Sequence, residues 1–124
     1  MVEIEVANRS GAELDTGAAT ELIRTVLHRE GIDDGELGFR LVRPEEIRAL
    51  KRDHLGIDEA TDALAFPIDG RDPLPEGVPR QLGDVVMCPQ VVGDAWRAPL
   101  VHAVLHLVGY DHGAEMEARE RAHA

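Results

Sequence analysis

Three histidines near the C-terminus constrain this chain more than any other feature of its sequence. His102 and His106 lie four residues apart in the apolar stretch HAVLHLVGYDH, and this spacing places both imidazoles on one face of a helix. Gly109 is expected to end that helix, so that the chain can bring His112 to the same point. Three neutral imidazoles with a fourth position left open are the ligand set of a catalytic zinc site. The spacing therefore predicts one zinc ion per chain, although nickel, copper and iron accept the same ligands.

The residues around these histidines limit the chemistry. Zinc peptidases with the spacing H-x3-H-x2-G-x2-H need a glutamate after the first histidine, and this chain has Ala103 there, which disfavours a peptidase. Asp84 and Asp111 are the candidates to orient the imidazoles and to act as a general base through a water. Cys88 is expected to be a buried strand residue and not a fourth ligand. The remaining histidines have no partner at ligand spacing and are expected at the surface or at helix ends: His28, His54 and His123.

Length and composition indicate a single domain spanning 1–124. A chain of 124 residues can bury a core of its own. Its single cysteine excludes an intramolecular disulfide and indicates a reducing compartment. No signal segment and no apolar run of membrane-spanning length is evident. We therefore expect a cytoplasmic protein with no membrane association and no nucleotide cofactor.

The charge is strongly acidic but unevenly distributed. A net charge of −11 disfavours tight, non-specific binding to nucleic acid. Residues 40–52 are the exception, with five basic and two acidic side chains. Arg48, Lys51 and Arg52 share one helical face, and two interpretations stay open. This basic stripe is either a solvated helix face or an RNA-binding surface that contacts phosphates.

Hydrophobic periodicity predicts an α+β fold. Alternation with a period of two indicates strands, and spacings of three and four indicate helices. The predicted strands are 2–6, 37–41, 63–66 and 85–88, and the predicted helices are 16–30, 44–54, 98–108 and 114–122. The stretch 67–81 is expected to be a loop because it contains four prolines. This order favours one mixed four-stranded β-sheet packed by helices, with a zinc-hydrolase-like metal helix near the C-terminus.

Three motifs resemble those of one family. HAVLHLVGYDH is similar to the signature H-G-x-L-H-L-x-G-Y-D-H of the YbeY family of bacterial rRNA maturation factors, with Ala103 in place of glycine. The segments 61–67 (TDALAFP) and 82–86 (LGDVV) are similar to that family's TDVLSFP and LGDI blocks, in the same order. The resemblance implies a zinc-dependent single-strand endoribonuclease acting in 16S rRNA 3′-end maturation and ribosome quality control. It also implies that His102, His106 and His112 bind the zinc, and that the partners are an rRNA precursor and the small ribosomal subunit.

The chain departs from the family pattern at several points. Many relatives have an arginine where this chain has Leu55, and an asparagine where it has Lys51. The segment between Asp84 and His102 is shorter than usual. These departures motivate an alternative function, a ribosome assembly or binding factor that keeps the zinc site but catalyses little. A zinc peptidase is the third and least favoured alternative.

Overall fold

The computed structural model describes residues 1–124 as four strands and five helices. The strands are β1 (Val2–Asn8), β2 (Gly35–Leu41), β3 (Ala63–Pro67) and β4 (Gln81–Met87). The helices are α1 (Thr16–Arg29), α2 (Pro44–Leu55), α3 (Pro89–Val92), α4 (Arg97–Leu107) and α5 (Ala114–Ala122). No helix combines the length and the apolar character that crossing a membrane would require. The element order confirms the predicted α+β class.

The four strands form one mixed sheet in the order β1-β2-β4-β3. β1, β2 and β4 are parallel, whereas β3 runs antiparallel to β4 and forms an edge of the sheet. Helix α1 connects the parallel strands β1 and β2, as a parallel connection requires. The mixed four-stranded sheet expected from the sequence is therefore present.

Two helices cover one face of this sheet and a third packs on the other. The larger core joins α1 and α4 to the side chains of Leu37, Phe39 and Leu41 in β2 and of Val85 and Met87 in β4. A smaller cluster on the opposite face joins Ile47 of α2 to Val42, Val86 and Cys88. The two clusters take alternate residues of β4, since successive strand side chains point to opposite faces.

The structure corrects both predicted ends of the fourth strand. β4 runs from Gln81 to Met87, whereas the sequence indicated 85–88. The prediction began too late because Gly83 and Asp84 interrupt the apolar pattern of the strand. Cys88 is buried as expected, but it precedes α3 as its N-cap instead of ending the strand. Only the four-residue helix α3 lies between β4 and α4, in the segment that the sequence marks as short.

Gly83 is required where β3 and β4 meet. Its φ is +121°, and a Cβ at this position would collide with the carbonyl oxygen of Phe66. We expect Gly83→Ala to lower the free energy of unfolding by about 2 kcal/mol, measured by urea denaturation, because backbone strain and the collision add. Gly31→Ala is the matched control, since Gly31 has φ +82° but open space around it. Equal losses for the two variants would show that the contact with Phe66 carries no cost.

Candidate metal centre

A glycine turn at the end of α4 brings the third histidine back to the first two. Gly109 has φ +103°, its N–H donates to the carbonyl oxygen of His106 at 3.1 Å, and the N–H of Tyr110 donates to that of Leu105 at 3.1 Å. These two bonds are those of a Schellman motif, which ends a helix and reverses the chain. The local sequence VGYDH thus places His112 beside the last turn of α4.

The three imidazoles converge on one point. The Nε2 atoms of His102 and His106 are 3.2 Å apart, and one ligand atom from each of the three histidines lies within 4.8 Å of the others. The ring centroids are 4.7 to 5.2 Å apart. Two nitrogens bound tetrahedrally to one zinc ion at ~2.05 Å lie about 3.3 Å apart. His102, His106 and His112 can therefore hold one metal ion.

Hydrogen bonds on the far side of two rings direct their Nε2 atoms to this point. His106 Nδ1 lies 2.9 Å from the carbonyl oxygen of Tyr110, and His102 Nδ1 lies 3.0 Å from Oε1 of Glu120. A carbonyl and a carboxylate oxygen can only accept, so each Nδ1 donates its hydrogen. Each Nε2 then keeps its lone pair for a ligand. This is one of the two arrangements in which a neutral histidine binds a metal ion.

The surroundings of His106 favour its neutral form. Burial lowers the pKa of His106 below its ordinary value, and the neighbouring charge of His102 lowers it further. A metal ligand must be the neutral imidazole, so a lowered pKa keeps this ring available at neutral pH. The set of three imidazoles and the lowered pKa of His106 both fit a zinc ion.

The site lies in the wall of a large cleft that is lined by α4, the edge strand β3 and the β3–β4 loop. The cleft has a volume of about 1540 Å³, larger than the ~300–1,000 Å³ typical of small-molecule sites. All three histidines line this cleft, and His112 is exposed. Among the residues that line it, only Lys51 and Arg71 are basic besides the histidines.

Asp84 is not part of this site, which corrects the expectation from the sequence. Its carboxylate lies over Gly38 of β2, at the place that a Cβ of Gly38 would occupy. Asp84 shares its sheet face with Val86, which packs in the cluster beneath α2, whereas α4 covers the other face. An aspartate on that face cannot reach the histidines, so Asp84 can neither orient them nor act as their general base.

Two carboxylates remain to be placed: Asp111 precedes His112 in the chain, and Glu120 contacts His102. Asp111 is exposed, lines the cleft and makes no hydrogen bond to a histidine. The role expected of it as an orienting partner is filled by Glu120 of α5, which the sequence analysis missed. Cys88 lies in the cluster beneath α2 and is not a fourth ligand, as expected.

Carboxylates pair with all three residues of the basic stripe. Arg48 donates to both oxygens of Asp58 at 2.7 and 3.1 Å, and Lys51 donates to Glu59 at 2.8 Å. Arg52 donates to Asp53 at 3.2 Å. The hydrogen bond with Arg48 lowers the pKa of the Asp58 carboxyl. A phosphate would have to displace these acidic partners to contact the stripe.

All three remaining histidines lie at the surface or at a helix end, as expected, although His123 is also buried. His28 is exposed and pairs with Asp33, and the ring of His54 packs on Phe66 near the end of α2. His123 caps α5 but is buried, with Nε2 2.8 Å from Oε2 of Glu30. Leu55, at the family's arginine position, is 59% exposed and lines the cleft.

The fold and the histidines define a single-domain α+β protein with a site that can hold a metal ion. The family described as Endoribonuclease YbeY matches residues 4–123. An Endoribonuclease YbeY of Salinispora tropica is 36% identical, over 96% of this chain and 88% of its own length. That of Rubrobacter xylanophilus is 39% identical, over 96% and 87%. The chain belongs to the YbeY endoribonuclease family.

A solved structure agrees with this assignment at the level of the fold. The solution structure of a protein from Thermotoga maritima superposes with a TM-score of 0.59 at 25% identity. The match covers 99% of this chain and 86% of the other. The four-stranded sheet and its helices are thus an arrangement that the two proteins share.

Proposed function

We propose that this protein is a zinc-dependent endoribonuclease that cleaves single-stranded rRNA precursors, in particular at the 3′ end of 16S rRNA. One observation carries the proposal: three imidazoles, two of them orientated by hydrogen bonds, converge in the wall of a cleft of about 1540 Å³, in a chain of an endoribonuclease family. The small ribosomal subunit is the proposed partner, and the cytoplasm the proposed location.

The residues of the site have different proposed roles. His102, His106 and His112 would hold the ion, with Glu120 and the carbonyl of Tyr110 fixing two of the rings. When bound, zinc supplies a Lewis acid that stabilises developing negative charge and lowers the pKa of a coordinated water. Asp111, exposed in the same cleft, is the proposed general base acting through a water.

The residue after His102 separates this proposal from a peptidase. Ala103 is buried in the core beside α1 and carries no group that can move a proton. In a zinc peptidase with this spacing, a glutamate at the same position accepts the proton of the attacking water. We therefore expect zinc-loaded protein to cleave a single-stranded RNA and to leave casein intact, in parallel assays read by gel electrophoresis. Casein cleavage without RNA cleavage would reverse the assignment.

A cellular experiment tests the rRNA substrate. Deleting the gene is expected to leave unprocessed 16S rRNA 3′ ends, and a wild-type copy should restore them. A copy with His102→Ala should not restore them, because it lacks one of the three imidazoles. Normal 3′ ends in the deletion strain would contradict the proposed substrate.

The cleft also favours a second candidate, an assembly factor with little catalysis. Its two basic side chains are already engaged: Lys51 with Glu59, and Arg71 with Glu30 and two backbone carbonyls. Leu55 is exposed in the same cleft, so few free cations remain there to hold a phosphate. Binding to the small subunit without turnover on RNA, by zinc-loaded protein, would establish this alternative.

If the carboxylates that pair with the basic stripe keep it from binding RNA, removing them should increase the affinity for RNA. Asp58→Asn with Glu59→Gln should free Arg48 and Lys51 to contact phosphates. We expect single-stranded RNA to bind several-fold more tightly at low salt, with a plot of log Kd against log salt steeper by about 1. The matched control is Glu21→Gln with Asp94→Asn, which removes the same charge from exposed positions elsewhere. Equal RNA affinities for the two double variants would show that the basic stripe is a solvated helix face and not an RNA-binding surface.

A further inference from the structure

Glu30 is a buried carboxylate that no sequence motif singles out. It caps the C-terminal end of α1, and its side chain is only 2% exposed. Donors from three other parts of the chain meet its two oxygens. They are Tyr110 Oη at 2.7 Å, His123 Nε2 at 2.8 Å, Arg119 Nε at 2.9 Å and Arg71 Nη2 at 3.3 Å. Glu30 is thus the centre of a buried polar network.

One arm of this network ends at His106. The hydroxyl of Tyr110 donates to Glu30, and the backbone carbonyl of the same residue accepts from His106 Nδ1. Tyr110 also lies in the turn between His106 and His112. Anchoring its side chain therefore fixes both the acceptor that orients one ligand and the turn that delivers another.

The other arms end at His102 and at the end of α4. Arg119 and His123 bind Glu30 from α5, the helix whose Glu120 accepts from His102 Nδ1. Arg71 donates from the β3–β4 loop to the carbonyl oxygen of Val108, the C-cap of α4, at 3.1 Å. The turn before His112, helix α5 and the end of α4 are thus all attached to Glu30, directly or through Arg71.

We propose that Glu30 is a positioning residue for the metal site: it anchors Tyr110 and α5, whose contacts orient the imidazoles. The inference rests on the proposed metal-binding role of the histidines. A buried ionic cluster gains little stability over an apolar one of similar volume, because desolvation offsets its attraction. Stability alone therefore does not account for this network, whereas a role in orienting the histidines does.

The experiment measures metal affinity instead of activity. Glu30→Gln and Tyr110→Phe are compared with wild type by competition of zinc with a chelator and by the absorption spectrum of the cobalt-loaded protein. We expect both variants to bind zinc about tenfold more weakly, the lower end of what losing an outer partner of a metal ligand costs. The cobalt spectrum should also change, since it reports the coordination geometry. Glu21→Gln, an exposed position on the same helix, should match wild type in both measurements.

Two variants are used so that an effect on metal binding can be distinguished from a failure to fold. Tyr110→Phe removes one hydroxyl and leaves the other bonds of Glu30 intact, so it decides the question if Glu30→Gln does not fold. Wild-type affinity and an unchanged cobalt spectrum in a folded Tyr110→Phe or Glu30→Gln variant would overturn the inference alone. A wild-type protein that binds no metal would overturn the proposed function, and this inference with it.

Discussion

Replacing His106 with alanine is expected to abolish both metal binding and RNA cleavage. His106 is the central ligand of the three, with Nε2 3.2 Å from that of His102 and a ring centroid 4.7 Å from each neighbour. Its loss leaves two ligands on an open cleft. The affinity should fall by more than the ~10–100-fold that losing an outer partner costs. Equilibrium dialysis with zinc and a single-stranded RNA assay measure the two effects.

The matched control for His106→Ala is His28→Ala. His28 is exposed on α1 and pairs only with Asp33, away from the cleft. This variant should keep wild-type zinc affinity and wild-type cleavage. RNA cleavage that survives in His106→Ala would mean that the activity belongs to another site or to a contaminating nuclease.

Protonation of Glu30 is expected to remove about 3 kcal/mol of stability at acid pH. Burial by itself would raise the pKa of Glu30, but the hydrogen bonds from Arg119, His123 and Tyr110 outweigh it and lower the pKa from 4.5 to about 2. A carboxyl whose pKa is lower in the folded state stabilises the fold above its unfolded pKa. That contribution is lost as the pH falls from about 4.5 to about 2. The shift corresponds to about 3 kcal/mol.

Urea denaturation across this pH range tests the prediction. At pH 7 wild type should be more stable than Glu30→Gln, which leaves Arg119 without its buried anionic partner. The difference between them should shrink by about 3 kcal/mol between pH 4.5 and pH 2, because protonated Glu30 resembles glutamine. Glu21→Gln should follow wild type throughout. A difference that does not change with pH would show that Glu30 is not held as a buried anion.

The local features of the fold and of the metal site could be predicted from the sequence. The period of two in β1 and β2 and the helical spacing in α1 and α4 arise from neighbours along the chain. The same holds for the convergence of the histidines. It depends on a helical spacing of four and on a glycine that can adopt a positive φ, here Gly109. The order of the strands in the sheet, β1-β2-β4-β3, was not predicted.

The face on which Asp84 lies could not be predicted, for a physical reason. Val85, Val86 and Met87 are all apolar and all buried, since this strand is covered on both faces. No alternation then tells which face an adjacent polar residue shares. The register also shifts between β2 and β4 where Glu36 is followed by Leu37, and periodicity does not reveal such a shift.

The contacts that orient the histidines are long-range and leave no pattern in the sequence. Glu30 meets Tyr110 across 80 residues and His123 across 93, and Glu120 meets His102 across 18. By contrast, the sequence contains a signal, Gly56, from which the pairing of the basic stripe with carboxylates could be predicted. Gly56 ends α2 with φ +72°, and a chain that reverses there brings the acids that follow back towards the helix.

The most direct measurement is a titration of RNA cleavage with zinc. Chelator-treated protein, mixed with a single-stranded RNA, receives zinc in steps of a fraction of an equivalent, and the initial rate of cleavage is recorded. A site built from His102, His106 and His112 predicts no cleavage without zinc and a linear rise that ends at one equivalent per chain. Cleavage by the metal-free protein, or a rate that does not respond to added zinc, would contradict the account.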